Sequence, residues 1–110
     1  MASFKEIEAA ELNRNLVKGN ILLVDVRSDN EVANGIIQGA RHIPLHLIPL
    51  NVEALDGDQP LVFYCHAGVR SAQAAAFLAD KGRSNIYNLQ GGVLAWGKAG
   101  FPFVPKTQEA

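Results

Sequence analysis

The sequence predicts an α/β fold: a mainly parallel five-stranded sheet with helices on both faces. Two observations carry this prediction. Residues 21–26 (ILLVDV) and 61–65 (LVFYC) are hydrophobic runs rich in β-branched and aromatic side chains, without polar alternation, as expected of strands buried on both faces. Segments with helical spacing of apolar residues lie between and around them, and that alternation is the pattern of helices crossing over a parallel sheet.

In chain order, a weak strand is expected at 4–7, followed by a helix over 8–18 with Ala9, Leu12 and Leu16 on one face. Gly19 stops that helix, and Lys18 in its last turn suits the negative end of the helix dipole. The strand at 21–26 leads to a short helix at 29–34, a second weak strand at 40–43 and a helix near 45–55. Asp56-Gly-Asp-Gln-Pro60 is a turn cluster before the strand at 61–65. A helix over 71–81 then ends at Gly82, with Lys81 in its last turn. A strand at 86–89, Gly91-Gly92 and a helix at 93–98 follow, with an extended segment at 101–105 and a polar tail at 106–110. The count is five strands and five helical segments.

The 110 residues, 48% hydrophobic and 19% charged, are the size and composition of one globular domain spanning 1–110. Ten Lys and Arg against 11 Asp and Glu leave a net charge of -1, which favours neither nucleic acid nor an anionic membrane as partner. No apolar stretch nears the roughly 20 residues of a spanning helix, and the first residues lack a signal peptide's apolar region, so a cytoplasmic location is expected. A single cysteine, Cys65, excludes an intramolecular disulfide and a cysteine-built zinc site. It is either a packed thiol or a reactive one.

Its context decides for the reactive one. In parallel sheets ligands gather at the carboxyl ends of the strands, and both Asp25 and Cys65 are expected there. After Cys65 comes His66-Ala67-Gly68-Val69-Arg70-Ser71 and then an alanine-rich helix: strand, tight loop and helix in succession. Small residues and Gly68 let successive N–H groups converge on one point, and the helix adds its positive end. A thiolate is stabilised in such a cradle, with Arg70 and a protonated His66 as further sources of positive charge. A buried structural cysteine has no use for a polar, glycine-containing loop directly after it, whereas a nucleophile that handles anions needs amide donors and a cation there.

With these motifs in place the chain resembles a single-domain rhodanese, of the thiosulfate sulfurtransferase family. The likeness extends over Leu23-Val-Asp-Val-Arg27, Gly39-Ala-Arg-His-Ile-Pro44, Cys65-His-Ala-Gly-Val-Arg-Ser71, Leu89-Gln-Gly-Gly-Val-Leu-Ala-Trp96 and Gly100-Phe-Pro102. The resemblance implies that Cys65 is a nucleophile carrying sulfur as a persulfide and that His66, Ala67, Gly68, Val69 and Arg70 form the cradle that binds substrate. It further implies that Asp25 and Arg27, with Ser71, brace the site from behind. One departure stands out: Gly35-Ile-Ile-Gln38 occupies a stretch that often reads Gly-His-Ile-Pro in the family, and the changed positions are expected to be structural.

Four residues separate Cys65 from Arg70, one fewer than in related phosphatases, and the tighter ring suits a single sulfur atom better than a tetrahedral phosphate. The loop also offers no carboxylic acid to protonate a phosphatase's leaving group. The expected activity is therefore transfer of a sulfane sulfur from thiosulfate or a similar small anionic donor to cyanide or a thiol, without metal or organic cofactor. A thioredoxin-like protein or a desulfurase fits as a protein partner. The alternative is a sulfur-sensing or protein-interaction module without significant turnover.

Elsewhere the plainer readings prevail. His42 and His46 are four apart, but Pro44 between them breaks a shared helical face, so they are read as loop histidines. Asp25 is expected to brace the site, orienting Arg70 or the loop amides. Trp96 is expected to pack on the sheet, and Arg41 is a surface arginine that could face the same mouth.

Overall fold

The computed structural model describes residues 3–106. Five strands, β1 (Lys5–Ile7), β2 (Leu22–Asp25), β3 (Arg41–His42), β4 (Leu61–Tyr64) and β5 (Ile86–Leu89), form one sheet in the order β1-β5-β4-β2-β3, and every ladder between them is parallel. The helices are α1 (Ala9–Lys18), α2 (Asp29–Val32), α3 (Val69–Asp80) and α4 (Gly92–Lys98), joined by a 3₁₀ segment, Leu45–Asn51. No helix among the described residues is long and apolar enough to cross a membrane.

The central strands are buried along their whole length, and their side chains divide by alternate position. Leu22, Val24, Leu61, Phe63 and Cys65 join Ala74, Ala75 and Leu78 of α3 and Ile48 of the 3₁₀ segment on one face. Leu23, Val62 and Tyr64 join Ala9 and Leu12 of α1 and Trp96 of α4 on the other. The apolar runs read from the sequence are thus two-faced strands with a helical layer on each side. Cys65 belongs to the face that α3 covers.

Several boundaries differ from expectation. Residues 45–51 wind as a 3₁₀ helix, because Pro49 lies inside the segment and has no N–H for an α-helical bond. Helix α3 begins at Val69, not at 71, because Gly68 turns the chain in a left-handed conformation (φ 105°) immediately before it. The expected strands at 21–26 and 40–43 are trimmed to their paired centres. The closing segment returns to the body through an isolated antiparallel bridge between Ile36 and Val104. Of the polar tail expected at 106–110, residues 107–110 lie outside the described residues. Gly35-Ile-Ile-Gln38 contributes core: Ile36 and Ile37 are both buried, and the Ile37 N–H donates to the Tyr64 hydroxyl at 3.0 Å.

Candidate active site

Parallel pairing brings the carboxyl ends of β2, β4 and β5 to one rim of the sheet. Asp25 is the last residue of β2, and Cys65 follows β4 directly. Only 1% of the Cys65 surface is exposed, but its sulfur is far from an inert hydrophobe. The Gly68 N–H donates to Sγ at 3.1 Å, the Ser71 N–H at 3.4 Å and the Ser71 hydroxyl at 3.2 Å. Burial pushes the thiol up, yet the Ser71 hydroxyl and N–H, with the Gly68 and Ala67 amides, outweigh it and hold the thiol below its ordinary value.

The loop is held from beneath by α4. The Val93 N–H donates to the Cys65 carbonyl at 2.9 Å and the Leu94 N–H to the His66 carbonyl at 3.2 Å. This approach needs glycine at 92, since a Cβ there would overlap both of those carbonyl oxygens. Gly91-Gly92 is therefore a seat for the Cys65 loop, where the sequence was read only as a lead-in to a short helix.

Asp25 and Arg27 form the expected pair. The Asp25 carboxylate accepts the Arg27 backbone N–H at 2.9 Å, Nε at 3.1 Å and Nη2 at 2.8 Å, and the same Nη2 donates to the Gly35 carbonyl at 2.8 Å. Burial works against the Arg27 charge, but Asp25 more than offsets it and holds the guanidinium above its ordinary value. This buried ion pair ties the end of β2 to the turn after α2. It does not orient Arg70, and that expectation is corrected.

Arg70 is instead clamped by Glu31, with Nη1 to Oε1 at 2.7 Å and Nη2 to Oε2 at 2.8 Å. Among the described residues neither Arg70 nor His66 donates to the sulfur, whose hydrogen bonds come from amides and one hydroxyl. The Cys65 charge still reaches Arg70, where it adds to the larger effect of Glu31 in raising the guanidinium. Glu31 itself caps α2 in a reciprocal box with Ser28, and the Arg70 guanidinium chiefly holds its carboxyl down at about 2. Sequence reasoning missed Glu31, although Ser28-x-x-Glu31 at the head of a short helix is a legible capping signal.

A cleft of about 620 Å³ is lined by Arg27, Glu31, Arg70 and His66 together with Val93, Leu94 and Phe103. His66, Ala67 and Val69 of the loop are exposed, and Ser71 is fully buried. His42 puts Nε2 at 2.7 Å from the Arg27 carbonyl and lies in β3, and exposed His46 lies in the 3₁₀ segment, so neither is a loop histidine; His46 lines a second cleft together with Arg70. Arg41 is exposed on the edge strand and lines neither cleft that Arg70 lines. Trp96 packs as expected, with Nε1 donating to the Pro102 carbonyl at 2.9 Å and its ring 4.9 Å from that of Phe101. Chemically, the arrangement offers one sulfur whose thiolate form is favoured by amide and hydroxyl donors.

Comparison with known proteins agrees with this chemistry. The family model of the rhodanese-like domain matches residues 8–99. A sulfurtransferase of Allochromatium vinosum is 40% identical over 100 residues, covering 90% of this chain and 94% of its own length. The thiosulfate sulfurtransferase GlpE of Stutzerimonas stutzeri is 40% identical over 98 residues, 87% of each chain. Among solved structures, a rhodanese-related protein from Thermoplasma volcanium superposes with a TM-score of 0.85 at 31% identity, over 94% of this chain and 100% of that one.

Proposed function

Since the chain belongs to the rhodanese-like domain family, we propose that it is a sulfurtransferase in which Cys65 carries sulfane sulfur from thiosulfate or a similar anionic donor to cyanide or a thiol. The Cys65 thiolate attacks the outer sulfur of the donor, the donor's S–S bond breaks, and its electron pair leaves with sulfite. Cys65 then holds a persulfide, whose terminal sulfur is taken by the acceptor's thiolate or by cyanide while the Cys65 thiolate is released.

The observation that carries this reading is the convergence of the Gly68 and Ser71 donors on Cys65 Sγ at the carboxyl end of the sheet. Donors arranged in this way favour the thiolate over the thiol and suit the negative charge of a persulfide. Asp25 and Arg27 act from behind by fixing the strand end, and Arg70 meets the donor's negative charge at the mouth. With no second cysteine in the chain, the persulfide waits for an external acceptor. The apolar residues Val93, Leu94 and Phe103 in the lining of the cleft are compatible with acceptors larger than cyanide, a protein thiol of a thioredoxin-like partner included.

Steady-state kinetics with thiosulfate and cyanide test the proposal. A ping-pong pattern, parallel lines in double-reciprocal plots, is expected because sulfite departs before the acceptor binds. Intersecting lines, or thiocyanate formation by Cys65→Ser, would contradict it.

A further inference from the structure

Asn88 lies on β5 between Glu6 of β1 and Phe63 of β4 in the sheet register, and it is 3% exposed. Both hydrogens of its amide are engaged: Nδ2 donates to the Glu6 carboxylate at 3.1 and 3.2 Å and to the Gly68 carbonyl at 3.1 Å. Its Oδ1 is buried without a partner among the described residues. The amide cannot be turned the other way, since Oδ1 would then face a carboxylate and a carbonyl, three acceptors with no proton among them. An unsatisfied acceptor is the cost of putting a donor on the Gly68 carbonyl.

That carbonyl belongs to the loop around the sulfur. A trans peptide sets its C=O and N–H antiparallel, so holding the Gly68 oxygen on Asn88 fixes the direction of the Val69 N–H. It also fixes the left-handed turn at Gly68, whose own N–H donates to Cys65 Sγ. The Ala72 N–H of α3 also donates to this carbonyl, at 3.3 Å, and Asn88 adds a second, shorter bond from β5 that narrows the conformations open to the glycine.

We propose that Asn88 is a positioning residue for sulfur transfer: oriented by Glu6, its amide locks the Gly68 peptide so that the loop amides stay directed at Cys65. The functional meaning of this inference rests on Cys65 as the sulfur carrier, but alkylation reads the thiol itself, so failure to take sulfur from thiosulfate and failure of the anchor are separate outcomes.

The test is the pH dependence of Cys65 alkylation by iodoacetamide in the intact chain, with melting temperature measured in parallel. The titratable and charged groups around Cys65, namely Asp25, Arg27, Glu31, Arg70 and His66, are the same residues in every variant. Asn88→Ala is expected to move the alkylation midpoint upward by about one pH unit, a tenfold loss of thiolate below the midpoint. Glu6→Ala should move it in the same direction, and Glu6→Gln, which keeps an acceptor for Nδ2, should restore it. If Asn88→Ala does not fold, the Glu6 pair alone decides, because Glu6 is exposed. Unshifted midpoints, whatever the melting temperatures do, would overturn the proposal and leave Asn88 a structural residue only.

Discussion

Arg70 holds the Glu31 carboxylate through two short hydrogen bonds, 2.7 and 2.8 Å, and gives none to the sulfur five residues before it in the chain. The site is therefore divided: amides and a hydroxyl stabilise the sulfur, while a cation paired to a carboxylate stands at the cleft. Under the proposed function an anionic donor would have to share Arg70 with Glu31, and Arg70 is then expected to govern donor capture more than sulfur reactivity.

Replacing Arg70 with alanine should accordingly raise KM for thiosulfate several-fold, in line with roughly 1 kcal/mol for a partly exposed charge contact, and leave the alkylation midpoint of Cys65 nearly in place. The difference from the native enzyme should shrink at high salt, where the attraction is screened. Steady-state kinetics at two ionic strengths check this; an unchanged KM at low salt would remove Arg70 from donor binding.

Glu31 ties acid stability to the same pair. Its carboxyl titrates at about 2 in the folded chain, below the ordinary 4.5, so its ionised form is favoured by folding. The stabilisation is complete above about 4.5 and is lost as pH falls toward 2. Glu31→Gln should lower stability near neutrality by about 1 kcal/mol, weakening both the cap and the ion pair, and flatten the decline below pH 4.5. Urea unfolding at a series of pH values would show it, and parallel curves for variant and native protein would refute it.

Ser71 contributes a hydroxyl and an N–H to Cys65 Sγ, and only the hydroxyl can be removed by mutation. Ser71→Ala should raise the thiol's midpoint by about one unit, about 1.4 kcal/mol of lost thiolate stabilisation, with little effect on the fold. Sulfite release at neutral pH should slow and recover at higher pH. A pH-independent loss of rate would assign Ser71 to something other than the thiolate.

Two glycine substitutions separate backbone strain from steric overlap. Gly82 and Gly92 both have positive φ, 92° and 56°, but a Cβ at 82 meets nothing within 4 Å, whereas one at 92 runs into the Cys65 and His66 carbonyls. Gly82→Ala should cost about 1 kcal/mol for its left-handed conformation alone. Gly92→Ala should cost at least 3 kcal/mol, or displace the loop and abolish activity. Comparable melting temperatures and comparable turnover in the two variants would show that α4 does not seat the loop.

Much of this site is legible in the chain because its parts are consecutive: a two-faced strand ending at Cys65, a glycine that turns, and a helix that starts within four residues of the sulfur. The Asp25–Arg27 pair is readable for the same reason, both residues lying at one strand end. What escapes the sequence is set by contacts between distant segments. Glu31 reaches Arg70 across 39 positions and Asn88 reaches Glu6 across 82, and no local periodicity reports either partner. Gly92 looks like a helix lead-in until the fold brings the Cys65 carbonyl against it. The 3₁₀ winding at Leu45–Asn51 follows from Pro49, a local signal that the apolar spacing of the segment obscured.

Sulfur transfer by this chain requires a persulfide at Cys65, which intact-mass spectrometry of the protein after incubation with thiosulfate and removal of excess donor detects. The chain should gain the mass of one sulfur atom, localised to Cys65 by peptide mapping, and lose it again on addition of cyanide. No gain in mass, or an equal gain in Cys65→Ser, would contradict it.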